Sequence, residues 1–192
     1  RSLNQQCPHA TGVRMKVVVF DYLGSIDPDS VGAVMDVSTW QAQPGIADAI
    51  AHLNHHGWHV VQAVNQPGLG RGSLEIAELT AVQQRLQKIL NAAGGRIEAF
   101  FFCPHAPEEH CDCRKPAPVL LLHIAARCGV APQELWVVGL CQAHIQAGLA
   151  VGAKVALVMP DPSLHIDCTL CAESPLPRYA NWMALAHALA PD

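Results

Sequence analysis

The run Val17-Val18-Val19-Phe20 is apolar at four consecutive positions and ends on a carboxylate, Asp21. Successive side chains of a strand point to opposite faces, so such a run is stable only where both faces are covered, the habit of parallel sheets held between helices. The pattern recurs. Strands are predicted at Lys16 to Phe20, Trp58 to Val64, Ile97 to Phe102, Leu135 to Val138 and Lys154 to Val158. Between them lie helical patterns. The first follows Pro44-Gly45, with Ile46, Ala49, Ile50 and Leu53 on one stripe and Gly57 as its stop. A long helix is predicted from Ser73, as its cap, to Ala93, ended by Gly94-Gly95, with shorter ones at Pro118 to Cys128, His144 to Val151 and Trp182 to Leu189. Strand and helix in alternation predict an α/β fold, a parallel sheet with helices on both faces and ligands at the carboxyl ends of the strands.

The chain of 192 residues, 51% hydrophobic and 15% charged, is long enough to bury a core of this kind. Its polar start predicts a loose extension over 1–14 and a single domain over 15–192. A net charge of −4 gives no broad footprint for nucleic acid or an anionic membrane, and no apolar run reaches spanning length. The expectation is a cytoplasmic protein whose function sits in a pocket. Eight cysteines fit bound metal in a reducing compartment better than a disulfide framework, because so hydrophobic a chain needs no staples.

The segment CPHAPEEHCDCRKP places Cys103, His105, Cys111 and Cys113 at C-x-H-x5-C-x-C spacing on the loop after a strand. Three thiolates and an imidazole suit tetrahedral zinc, and four protein ligands leave no open position, so a structural ion is expected at 103–113. His110 is a weaker candidate ligand. Arg114 and Lys115 follow at once, so the metal loop is expected to aim two cations at the pocket.

Other metal-type residues carry weaker expectations. His165, Cys168 and Cys171 form H-x2-C-x2-C, and Cys7-Pro8-His9 echoes the start of the zinc loop. A second metal site there competes with plain packing of small apolar thiols. Cys128 and Cys141 are expected in the core. His52, His55, His56 and His59 are expected at a helix end facing solvent. The turn Gly68-Leu69-Gly70-Arg71-Gly72 follows a strand, but G-x-G-x-G is not the G-x-G-x-x-G of dinucleotide sites.

Taken in order, FDYLGS, VNQPGLGRG, CPHAPEEHCDCRKP and VVGL resemble the motifs of the haloacid dehalogenase (HAD) superfamily over roughly Met15 to Met159. More narrowly they are similar to its zinc-loop branch, the D-glycero-D-manno-heptose 1,7-bisphosphate and histidinol-phosphate phosphatases. The resemblance implies a HAD-like Rossmannoid sheet without a large cap domain. It makes Asp21 the nucleophile position and Lys115 its partner, and implies phosphate donors in Asn65, Gln66, Arg71, Arg114, Lys115 and the amides of the glycine turn.

Three motifs depart from the pattern. The acid/base position, two residues after the nucleophile, is Leu23; the hydroxyl expected before Asn65 is Val64; the magnesium-binding acid after VVG is Leu140, with His144 at the neighbouring acid. Leucine carries no proton, and losing a general acid costs about 10²- to 10⁴-fold in rate. A hard cation offered Asp21 alone has little to hold it. The expectation is a pseudophosphatase that binds phosphate or a phosphorylated small molecule, with structural zinc and magnesium absent or weak. The alternatives are an active magnesium-dependent phosphatase, in which His144 or Asp27 replaces the missing acid, and a scaffold assembling with a protein partner.

Overall fold

The computed structural model describes residues 14–30, 32–33, 35–159 and 176–192. In chain order these form β1 (Lys16–Phe20), α1 (Ile46–His55), β2 (Trp58–Asn65), α2 (Pro67–Arg71), α3 (Ile76–Ala92) and β3 (Ala99–Cys103). They continue with α4 (Val119–Cys128), β4 (Trp136–Gly139), α5 (Gln142–Ala150), β5 (Lys154–Val158), β6 (Arg178–Tyr179) and α6 (Trp182–Leu189). The six strands make one parallel sheet in the order β3-β2-β1-β4-β5-β6.

The valine run explains the layering. Val18 and Phe20 enter one core with Ile50 and Leu53 of α1, Leu86 and Leu90 of α3 and Trp182 and Leu185 of α6. Val17 and Val19 enter the other, with Leu121 and Ile124 of α4 and Ile145 of α5. All four are fully buried, as a two-sided strand requires.

The sheet order reverses beside β1, which lies between β2 and β4. At such a switch the connections leave in opposite directions and open a crevice at the carboxyl ends of the strands. Asp21 follows β1 at this crevice, and Leu140 follows β4.

Four local features differ from expectation. The residue capping α3 is Glu75, whose backbone N–H donates to Glu78 Oε2 at 2.7 Å, so Ser73 lies in the preceding turn. The glycine turn contains the short helix α2 before α3 begins. The third strand starts at Ala99 instead of Ile97, and β6 adds an edge strand that the sequence pattern did not suggest. Residues 1–13, the expected extension, lie outside the described residues, as do His165, Cys168 and Cys171.

Candidate functional site

Asp21 is 3% exposed, and its Oδ1 accepts from the Lys115 ammonium at 3.2 Å. Lys115, itself fully buried, also donates to the Ala63 carbonyl at 2.6 Å and to His144 Nδ1 at 2.8 Å. An ammonium has three N–H donors, and all three are used. Nε2 of His144 faces the Val19 carbonyl at 3.1 Å. A carbonyl only accepts, so Nε2 carries the proton and Nδ1 is free to accept from Lys115.

The electrostatics follow from this geometry. Burial is the largest influence on the Asp21 carboxyl and would raise it, but Lys115, His144 and the Tyr22 backbone N–H together outweigh burial and the net direction is down. Burial, reinforced by Lys115, lowers His144 to about 4, so the imidazole is neutral at physiological pH. Asp27 is pushed up to about 6, mainly by burial. Oδ2 of Asp21 is buried with no hydrogen-bond partner among the described residues.

The stretch between β1 and α1, which carries no recognisable sequence pattern, builds much of the pocket. Gly24 and Ala42 pair in an antiparallel bridge at its base, and Gln43 fastens it, donating from its backbone N–H to the Leu23 carbonyl at 2.8 Å and accepting from Trp182 Nε1 at 2.8 Å. Gly24 cannot be larger: a Cβ there would lie 2.1 Å from Trp40 Nε1. Asp29 from this stretch accepts from Arg114 Nη2 at 2.7 Å and from Asn65 Nδ2 at 3.0 Å. The other bonds of Asn65 go to the Lys115 backbone, with Nδ2 donating to its carbonyl at 2.9 Å and Oδ1 accepting its N–H at 3.0 Å. Asn65, Lys115 and half of Arg114 are therefore satisfied within the protein. Arg114 Nη1 is buried without a partner among the described residues. Asp29 is the site residue that sequence reasoning missed; an acid directly after Pro28 in a polar turn offers no signal of its long-range partners.

Leu23 is 1% exposed and packs in the core with Trp40, and Val64 is 5% exposed. Leu140 is half-buried against the same core. A cavity of about 430 Å³ lies at this end of the sheet, lined by Tyr22, Ser25, Gln43, Leu140, Asn181 and Trp182. Cys141 caps α5 beside the pocket, half-buried instead of deep in the core. Burial and the nearby Asp21 charge push its thiol up to about 12. Cys128 is buried in the core as expected.

The glycine turn packs on the cysteine loop. Its amides at Leu69 and Gly72 are used inside α2, donating to the Gln66 and Leu69 carbonyls. A Cβ at Gly70 would lie 2.8 Å from both the Pro104 carbonyl and the Ala106 nitrogen, so this glycine permits close packing on the cysteine loop. Arg71 is half-exposed and faces Glu108 at 3.8 Å. Gln66 is buried, and its backbone N–H donates to the Cys103 carbonyl at 2.8 Å.

Cys103, His105, Cys111 and Cys113 converge, with one ligand atom from each lying within 4.8 Å of the others. Cys103 Sγ is 3.0 Å from Cys113 Sγ and 3.5 Å from Cys111 Sγ, and His105 Nδ1 is 3.2 Å from Cys113 Sγ. This donor set can hold a metal ion. His110 is outside the group and adopts a left-handed backbone, φ 50°, closing the turn after Pro107–Glu109.

Of the four clustered histidines, only part of the expectation holds. His55 is exposed at the end of α1. His59 lies on β2, with Nδ1 2.8 Å from both carboxylate oxygens of Glu98. His52 and His56 stack with centroids 4.2 Å apart, against α6.

No family model matches the chain. The D-glycero-beta-D-manno-heptose-1,7-bisphosphate 7-phosphatase of Pseudomonas putida is 40% identical over 144 residues, covering 75% of this chain and 82% of that protein. The protein of the same name from Neisseria meningitidis is 37% identical over 145 residues, covering 76% and 78%. Among solved structures, the D,D-heptose 1,7-bisphosphate phosphatase from B. bronchiseptica, complexed with magnesium and phosphate, superposes with a TM-score of 0.78. It is 35% identical and covers 91% of this chain and 98% of its own. With the HAD-like sheet, the switch-point aspartate and these relatives in agreement, the chain belongs to the D-glycero-beta-D-manno-heptose-1,7-bisphosphate 7-phosphatase family of the HAD superfamily.

Proposed function

We propose that this chain is a non-hydrolytic member of its family that retains a pocket for a phosphorylated sugar. One observation carries the reading: the two residues beside Asp21 that would have to shuttle a proton and grip a cation are the aliphatic side chains of Leu23 and Leu140, one of them wholly inside the core. Asp27, pushed up to about 6 mainly by burial, is the nearby carboxyl that could still carry a proton, and its Oδ1 is already held by the Asp29 backbone N–H at 2.9 Å. Tyr22 is close in sequence, but burial raises its phenol above its ordinary value and it holds its proton. His144 neither gives up nor gains a proton near neutrality.

The residues present do not fit magnesium. That ion demands near-octahedral oxygen coordination, with carboxylates as anchors. Asp21 Oδ1 is engaged by Lys115, the Leu23 carbonyl accepts from Gln43, and the single unpartnered Oδ2 cannot supply such a shell. The cationic role beside Asp21 is filled by Lys115.

Phosphate would enter through Arg114, whose Nη1 is a buried donor in want of an acceptor, and the sugar would occupy the cavity by Tyr22 and Trp182. The Cys3His cluster fits zinc, which prefers sulfur and nitrogen and closes its shell with four protein ligands. When bound, zinc would fix the loop that presents Arg114 and Lys115. Thiolate ligation requires reduced cysteines, so the reading includes a reducing compartment such as the cytoplasm.

The test is phosphate release from heptose 1,7-bisphosphate with and without magnesium, beside calorimetric titration with the same compound and with inorganic phosphate. Binding without release is expected. Magnesium-dependent release abolished in Asp21→Asn would establish a working phosphatase instead.

A further inference from the structure

The end of α1 and the end of α6 bring together histidines that the pocket does not use. One ligand atom each from His52, His187 and Asp192 lies within 4.8 Å of the others. The His52 ring is 4.4 Å from that of His187 and 4.2 Å from that of His56. His56 Nε2 lies 3.8 Å from Asp192 Oδ1. The patch is separate in sequence from the cysteine cluster and shares no residue with it.

We propose that His52, His187 and Asp192 form a second metal site, for a borderline divalent transition ion of the Ni²⁺, Cu²⁺ or Zn²⁺ class. Imidazole with one carboxylate is the donor set such ions take.

The hydrogen bonding already prepares two of the rings. His52 Nε2 lies 2.7 Å from the Ala190 carbonyl, and His56 Nδ1 lies 2.8 Å from the His52 carbonyl. A carbonyl only accepts, so each ring holds its proton at that nitrogen and keeps a lone pair on the other. Ligating histidines are oriented in this way, by giving their second N–H to a carbonyl or carboxylate. At His56 the free nitrogen faces a carboxylate oxygen of Asp192. Their 3.8 Å separation compares with about 3.4 Å across the edge of a tetrahedral zinc site, so small side-chain shifts bring His56 in as a fourth ligand.

The ion would clasp two helices that already share a core. Ile46, Ile50 and Leu53 of α1 pack with Trp182, Leu185 and Ala186 of α6, and α6 in turn holds Gln43 through Trp182. His187 and Asp192 are exposed and His52 is half-buried, so the ion reaches the site from solvent without any opening of the fold.

The experiment titrates the full chain, its cysteine cluster loaded with zinc, with Ni²⁺ by calorimetry. Wild type is compared with His52→Asn and His187→Asn, with Cu²⁺ electron paramagnetic resonance as a second readout. The expected result is one further equivalent of Ni²⁺ in the wild type, lost in both variants, with imidazole nitrogen hyperfine structure on the Cu²⁺ signal. Nickel raises the thermal midpoint of the wild type alone. His187 is exposed, so His187→Asn folds, and that variant decides the matter if His52→Asn does not. Absence of a further equivalent overturns the proposal, and so does one that persists in His187→Asn, since the ion then sits elsewhere in the chain.

Discussion

Lys115 Nζ lies 3.2 Å from Asp21 Oδ1, with the two side chains 1% and 5% exposed, so a complete ion pair is sealed inside the switch-point crevice. Such a pair is a weak net stabiliser when whole and a large liability when broken, because the surviving charge has no water to turn to. Lys115→Met is therefore expected to cost about 3–5 kcal/mol in urea denaturation. The double variant Asp21→Asn/Lys115→Met, which removes both charges, is expected to recover much of that loss. A double-variant cost equal to the sum of the Lys115→Met and Asp21→Asn costs would show that the pair is not coupled.

The response to acid is the second expectation. His144 has a folded-state value of about 4 against an ordinary 6.5, so the unfolded chain binds the extra proton first. The stability it contributes is complete above about pH 6.5 and is lost as pH falls through 4. Asp27, raised to about 6 from 3.8, acts in the opposite sense: its contribution is complete below 3.8 and lost as pH rises through 6. The two contributions are of similar size and opposite sign, so wild-type denaturation midpoints should change little between pH 7 and 4. They should rise on acidification in His144→Gln, whose amide oxygen can still accept from Lys115, and fall in Asp27→Asn. An unchanged slope in His144→Gln would count against the buried neutral imidazole.

Removing the ion from the cysteine cluster should loosen the loop that presents Arg114 and Lys115. Chelation, or Cys111→Ser, is expected to lower the thermal midpoint by on the order of 10 °C, a loss of about 3 kcal/mol in a chain this size. It should also speed proteolysis between 103 and 113. Metal analysis should find zinc in the untreated protein.

Restoring the acids tests the proposed loss of hydrolysis. Leu140→Asp alone should produce no turnover, and Leu23→Asp alone should destabilise by about 3 kcal/mol or more, because a carboxylate enters the core beside Trp40. Leu23→Asp/Leu140→Asp should gain measurable magnesium-dependent phosphate release, as a general acid supplies about 10²- to 10⁴-fold. A wild-type chain as active as the double variant would defeat the proposed function.

Asp29→Asn should strengthen anion binding. The carboxylate now holds Arg114 and Asn65, and removing its charge frees the guanidinium for phosphate. Calorimetry should show affinity for inorganic phosphate higher by about tenfold, since a hydrogen bond to a charged group contributes about 1.5 kcal/mol or more.

The layered sheet was legible in the sequence because the apolar runs at β1, β2 and β4 have only one stable use, burial on both faces. The cysteine loop was legible because metal ligands must be close in space and here are also close along the chain. Asp29 was not, because its partners Arg114 and Asn65 are 85 and 36 residues away and only the fold brings them together. The packing role of the glycine turn was hidden for a related reason. Gly70 is glycine because Pro104 and Ala106 press against it, and nothing in a local motif separates that need from the need to admit a phosphate.

The bonds from Asp29 to Arg114 and Asn65 bear on how any anion must arrive. The chain carries its own competitor, a carboxylate seated on Arg114 Nη2 and Asn65 Nδ2, so an anion drawn to the unpartnered Nη1 meets a resident negative charge. A singly charged visitor gains little against it, whereas a dianion can displace it and leave the aspartate to seek water.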